Sequence, residues 1–322
     1  MDYAKVASEL LKSLRGRRSQ TGFSRWLGYS SNVQYLWESG RAFPRASRYF
    51  QIVEKTGRDA GAALACLYPH QRPAWLAGKN LGTPAGIAAL LDDLKGQRSV
   101  LEVARATKQS RFTLGRWFKG EAEPRLPQFL QLLDALSLRL LDVLEGLVDP
   151  AELSSVAPAW HKLQAARRTA YEAPWSHAVL RAIELEGYRE QSKHVPGWIA
   201  QRVGITREQE EQGLKLLAAA GQIRRRRGRF EAAEVLAVDT RRNAEQARQL
   251  RRFWAQEAVR RFDRRPDAAF AYNLFSISHA DLERIRALHR SYFRELRAIV
   301  AQSEPPQTVA LVTMALLELG EP

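Results

Sequence analysis

Apolar positions recur every three to four residues along most of the chain, the spacing of an amphipathic helix. Val6, Leu10 and Leu14 share one such face. The pattern breaks over 16–19. Phe23, Trp26 and Leu27 then predict a second helix ending at Gly28, a residue suited to the left-handed turn after a helix. Ser30 is a capping residue for a third helix running to about Ser39. Gly40 and Pro44 end that helix, and a further one begins over 49–55. The pattern returns when the chain is offset by 80 residues. Leu10, Leu11 and Leu14 fall on Leu90, Leu91 and Leu94, and Gly16, Arg18 and Ser19 on Gly96, Arg98 and Ser99. Arg25 and Ser30 meet Arg105 and Ser110. Trp37, Gly40, Pro44 and Arg45 meet Trp117, Gly120, Pro124 and Arg125, and Leu64 and Leu67 meet Leu144 and Leu147. Leucines align readily by chance; a Trp, two Gly and a Pro in one ungapped frame do so rarely. The second copy also holds "SVLE" at 99–102, a capping box.

The pattern changes after Pro150. Residues 151–174 predict a helical connector, and a helix follows over about 175–186. "VPGWIAQRVGI" gives a short helix. "TREQ" at 206–209 is a capping box opening a helix that Gly221 stops. Ile223 and Phe230 bracket a turn at Gly228, which predicts a hairpin. Three helices and a hairpin read as a winged helix. Downstream, 241–262 is a basic amphipathic helix with Leu250, Trp254, Ala258 and Phe262 on one face. "AFAYNLFSIS" alternates like a strand. A long helix over 281–301 would turn Leu282, Ile285, Leu288, Tyr292, Leu296 and Ile299 inward, and "TVALVTMALLEL" is a second strand candidate. This strand–helix–strand unit would dimerise or sense a ligand.

Composition narrows the class. Of 322 residues 45% are hydrophobic and 9% aromatic, enough to fold in two or three domains. No apolar run approaches the roughly 18 residues of a membrane span, and no signal-peptide core opens the chain, so no membrane partner and a cytoplasmic location are expected. Cys66 is the one cysteine, which excludes an intrachain disulfide and a cysteine metal cluster. The net charge of +15 favours polyanions. It is uneven: 1–70 carry 11 basic and 5 acidic residues, whereas 84–150 carry 9 of each.

In both copies a helix, a tight turn and a second helix lead into the Trp, the arrangement of a helix-turn-helix. The stretches "RRSQTGFSRWLGYSSNVQYLWESGRAFP" and "QRSVLEVARATKQSRFTLGRWFKGEAEP" resemble the lambda-repressor-like (XRE-type) regulators. That pattern has "SQ" opening the second helix, "LG" at the turn, and "WE" then Gly and Pro after the recognition helix. The first copy matches at Ser19-Gln20, Leu27-Gly28 and Trp37, Glu38, Gly40 and Pro44. The second has Phe118 for the Glu and Thr107-Lys108 for "LG". The family places an apolar residue three before the Trp. Leu114 fills that place in the second copy, but Gln34 stands there in the first with Val33 beside it, which predicts a shifted register. The resemblance implies double-stranded DNA as partner. It implies base-reading or flanking roles for Gln20, Ser30, Ser31, Asn32, Gln34 or Tyr35 by register, and Arg41. In the second copy it implies Ser110, Arg111, Phe112, Thr113 and Arg116. Arg pairs with guanine and Asn or Gln with adenine, and Phe112 either meets a thymine methyl or belongs to the core. Trp37 and Trp117 are expected in the core.

The C-terminal half resembles, more weakly, a bacterial regulator family that joins one XRE-type domain to a winged-helix-like region and a strand–helix–strand. Arg224, Arg225, Arg226, Arg227 and Arg229 would grip phosphate as a wing. Glu208, Glu210 and Glu211 open the preceding helix, suit its dipole and repel DNA, so a structural or protein-binding role stays open.

The expected fold is therefore mainly α: two tandem lambda-repressor-like helix-turn-helix domains at 1–70 and 84–150, joined by a linker at 71–83, then a winged-helix-like domain at 175–239 and a small α+β unit at 240–322. No phosphate-binding or nucleophile-elbow motif occurs. His70, His161, His177, His194, His279 and His289 never fall at metal-binding spacing. The expectation is a non-catalytic regulator, a repressor by type, without cofactor or metal, working as a homodimer with a protein or small-molecule effector at the C-terminal half. A protein-interaction adaptor is the alternative, favoured by the neutral second copy. RNA binding is weaker, because no aromatic-rich strand motif is present.

Overall fold

The structure is a computed structural model, and it describes residues 1–68, 80–233, 240, 243–262 and 271–319. Residues 71–79 of the expected linker and 269–270 of the first strand candidate lie outside the described residues. The fold is mainly helical with a two-stranded sheet. Two compact units divide it, one holding Met1–Ala165 and the other beginning at Ala166. Among the described residues no helix is long and apolar enough to cross a membrane.

In the first unit α1 (Tyr3–Arg15), α2 (Gln20–Trp26), α3 (Val33–Glu38), α4 (Ala46–Lys55) and α5 (Ala60–Ala65) are followed by α6 (Pro84–Lys95), α7 (Val100–Thr107), α8 (Arg111–Phe118), α9 (Leu126–Ser137) and α10 (Leu140–Glu145). Side-chain caps start many of these helices. Asp2 accepts from the Ala4 and Lys5 amides, Ser19 from Gly22, and Thr83 from Gly86. The capping box of Ser99 and Glu102 is formed. Gly40 and Gly120 share a φ of 73°. At the turn between the second and third helices, Gly28 has φ 91° and its counterpart Lys108 has φ 54°, so a lysine accepts a left-handed conformation that glycine adopts without steric cost. One contiguous apolar core runs through both sets of helices and takes in Trp37 and Trp117. A short 3-10 turn, Pro150–Glu152, leads to α11 (Ala157–Glu172).

The second unit holds α12 (Ser176–Ala182), α13 (Glu186–Arg189), α14 (Trp198–Val203), α15 (Arg207–Ala219), β1 (Ile223–Arg226), β2 (Arg229–Ala232), α16 (Ala244–Phe262) and α17 (His279–Gln302). The Thr206–Gln209 capping box opens α15 as expected. β1 and β2 pair antiparallel from Ile223 opposite Ala232 to Arg226 opposite Arg229. Arg227 and Gly228 form the two-residue loop with φ 48° and 83°, the backbone of a type I′ hairpin turn. The helix expected over 175–186 is split into α12 and α13 around Leu185.

The strand–helix–strand expectation is overturned among the described residues. α17 forms, but 271–278 and 303–319 make no strand. Alternation prepares a segment for a sheet, yet a strand also needs a hydrogen-bonding neighbour. The inward face expected of α17 forms only in part: Leu282 is buried and Ile285 and Leu296 are half-buried, whereas Leu288 is 67% and Ile299 71% exposed. On α16, Leu250 is buried and Phe262 is exposed.

Candidate nucleic-acid interface

α2, its turn and α3 are held by polar groups rather than by apolar packing alone. Glu38, at the end of α3, accepts from Arg15 Nε at 2.5 Å, Gln20 Nε2 at 2.8 Å and Gln34 Nε2 at 2.7 Å. Burial opposes ionisation of Glu38, but these hydrogen bonds and the Arg15 charge outweigh it and hold its carboxyl below the usual glutamate range. Gln34 also donates to Leu11 O at 2.9 Å and is fully buried. This corrects two expectations. The register of α3 is not shifted, because Gln34 keeps the core place that Leu114 holds in α8. Gln34 is therefore no base reader, since its amide has no exposed edge. Gln20 is half-buried and committed to Glu38.

The capping of α3 differs from expectation as well. Asn32, not Ser30, is the N-cap, and its Oδ1 accepts from the Tyr35 amide at 3.3 Å. Ser30 stands exposed one turn earlier, with Ser31. Among the expected reading positions of this copy, Ser31, Tyr35 and Arg41 face solvent, and the Arg41 guanidinium lies 5.4 Å over the Tyr35 ring.

In α8 the cap is Ser110, which accepts from the Phe112 amide, so this helix starts two residues earlier than α3. Arg111 and Arg116 are exposed, and Thr113 is half-buried. Phe112 is 71% exposed, with the Arg111 guanidinium 4.8 Å from its ring. Phe112 is thus not core, which answers one alternative left by the sequence. Glu121 is exposed nearby, whereas Glu123 turns back to accept from the Ser47 amide at 3.1 Å.

A further basic cluster escaped sequence reading. Arg18 and Lys55 lie over the Trp26 ring at 4.8 and 4.7 Å. Trp26 is 36% exposed. Its only sequence signal is the charge excess of the first copy. The counterpart of Arg18, Arg98, is instead committed to the carbonyls of Ala135 and Leu136.

On the hairpin, Arg224, Arg225, Arg226 and Arg227 are exposed. Glu231 lies 3.9, 3.7 and 3.5 Å from Arg224, Arg226 and Arg229 and offsets part of their charge. Arg229 also donates to the Arg189 carbonyl. Glu208 and Glu211 face solvent on α15, but Glu210 is buried and caps α14 through the amides of Gly197 at 3.0 Å and Ala200 at 2.6 Å. His194 lies 3.4 Å from Glu210 and 3.1 Å from the Tyr188 hydroxyl. Burial lowers the His194 pKa against the pull of Glu210. This set has no sequence signature, because its members are 6 to 22 residues apart without a recurring motif. Among the described residues no group of three His, Cys, Asp or Glu could hold a metal ion.

No curated protein and no solved structure matches the chain. The part of the chain that contains the buried Glu210 cap, the basic hairpin and α17 is matched by a family: residues 156–319, just over half of the chain, fit the Domain of unknown function (DUF4423), and the chain belongs to that family.

Proposed function

We propose that the chain is a sequence-specific, double-stranded-DNA-binding transcriptional regulator, a repressor by type, acting in the cytoplasm. On this reading 1–70 and 84–150 are XRE-type helix-turn-helix domains, and 175–239 is a winged helix. The observation that carries it is α8. A short capped helix after a tight turn holds Arg111, Phe112 and Arg116 out to solvent while Leu114 and Trp117 anchor its other side. Exposing Phe112 gains nothing for the fold. Arginines beside an apolar ring suit guanine edges and thymine methyls. Tyr35 on α3, with Ser31 before it and Arg41 after it, offers the matching exposed edge in the first copy, and Arg18 and Lys55 supply basic charge for the phosphate backbone.

The test is anisotropy titration of the full chain against a duplex selected from a random pool and a scrambled duplex, over a salt series. The logarithm of the affinity should fall linearly with log salt, by roughly 0.9 unit per phosphate contacted for each tenfold rise in salt. Equal binding of both duplexes with no salt slope would overturn the reading. The adaptor reading has its own support in the exposed apolar side chains of Tyr272, Leu274, Leu317 and Leu319. A stable protein partner copurifying without nucleic acid would favour it.

A further inference from the structure

The two copies in the first unit meet through a contact that exchanges them. The Ala46 amide donates to Pro124 O at 3.0 Å, and the Leu126 amide donates to Pro44 O at 2.9 Å. Under the offset of 80, each bond is the image of the other. Arg45 and Arg125, counterparts in the repeat, form the antiparallel bridge between them. The helices follow the same rule. α1 packs against α9 as α6 packs against α4, and α5 packs against its counterpart α10. The ring of Phe50 on α4 meets that of Phe129 on α9 edge-on at 5.5 Å. A surface that pairs with its own image across a two-fold is the isologous contact of a symmetric dimer. Here it lies within one chain.

We infer that the first unit is an intramolecular dimer whose two reading helices, α3 and α8, address the two halves of one DNA site, and that the halves are unequal in sequence. The inference rests on the DNA-reading function proposed above. A two-fold pair of helices matches the two-fold of a duplex, so half-sites mirror protein symmetry. In a homodimer the two readers are identical and the halves must agree. Here the backbone pairing is symmetric and the reading side chains are not: Ser31 stands just before the cap of α3 and Tyr35 on α3, whereas Arg111, Phe112 and Arg116 stand on α8. Contacts around the bridge also separate the copies. Ser47 N donates to Glu123, whereas the counterpart of Ser47 is Pro127, which has no amide hydrogen. The pairing therefore has one order, and the site one direction.

The experiment is selection of sites by the full chain from a random duplex library, followed by the same selection with Arg111→Ala/Arg116→Ala and with Ser31→Ala/Tyr35→Ala. All four positions carry solvent-facing side chains, and unchanged melting temperatures will show that the fold is kept. The expected motif has two dissimilar halves at fixed spacing. The arginine variant should relax one half only, weakening binding about tenfold or more, and the Ser31/Tyr35 variant should relax only the other. A palindromic motif, a motif with a single half, or loss of preference at the same bases in both variants would overturn the pairing inference while leaving DNA reading intact. Absence of any selected motif would overturn both.

Discussion

The two copies solve one packing problem in opposite ways. In the first, Arg15, Gln20, Gln34 and Glu38 form a connected polar cluster beneath α3. In the second, the same four places are Lys95, Val100, Leu114 and Phe118. The ion pair of Arg15 and Glu38 becomes Lys95 held 5.7 Å over the Phe118 ring, and the buried Gln34 becomes a buried leucine. All four positions differ together, as they must. A carboxylate there needs its donors, and a buried amide needs a partner. The polar version carries an internal cost, because Gln34 Oε1 is buried and finds no donor among the described residues. A buried acceptor left so costs about 1–3 kcal/mol. What it gains is geometry: three donors fix one carboxylate and with it the pitch of α3 against α1 and α2. The apolar version is the cheaper core and the less directional one.

Breaking the cluster at its centre should have the largest effect. Glu38→Ala removes the acceptor that Arg15, Gln20 and Gln34 share and should destabilise the first unit by about 3 kcal/mol. Hydrogen exchange of the α1–α3 amides in the full chain will read this, and an unchanged rate would show the cluster to be idle. Moving one piece alone into the other copy should be nearly as harmful. Leu114→Gln should cost about 2 kcal/mol, since Phe118 stands where Glu38 accepts from Gln34 in the first copy. Adding Phe118→Glu should restore part of that loss, a coupling that a double-mutant cycle of unfolding free energies detects and simple additivity would refute. Asn32→Ala should cost about 1 kcal/mol as a lost helix cap, with the ratio of specific to random DNA binding unchanged. A changed ratio would return Asn32 to the reading surface. The smallest effect is in pH. The folded Glu38 carboxyl titrates below the unfolded one, so its contribution is complete above the usual value of 4.5 and is lost as pH falls through the lower folded value. The stability gap between the native chain and Glu38→Gln should accordingly narrow from roughly pH 6 to pH 3, and a constant gap would contradict the assignment.

Helix positions, the two capping boxes and the hairpin were legible in the sequence because each depends on neighbours in the chain. Asn32 and Gln34 were not. Asn32 looks like a base reader and is spent on the backbone, and Gln34 looks like a surface residue and lies in the core. Both outcomes depend on groups brought by α1 and α2. The clue to Gln34 lay in the offset itself, since Arg15, Gln20 and Glu38 change character along with it. The alternation of 271–278 and the apolar run of 308–319 misled for a related reason: each describes side chains, while a strand is completed by a neighbouring backbone. Phe112 shows the converse. Its exposure is settled by Ser110, which starts α8 early and turns position 112 outward, whereas its counterpart Asn32 serves as the cap.

The Arg45–Arg125 bridge has a consequence for how the molecule responds to its own abundance. Two copies on one chain meet at an effective concentration set by their covalent connection rather than by the abundance of the protein. Dilution to a handful of molecules does not separate them, and no exchange of partners mixes them with variants of the same chain. Occupancy of a target through this pair should rise in simple proportion at low abundance, without the threshold that an assembling dimer imposes.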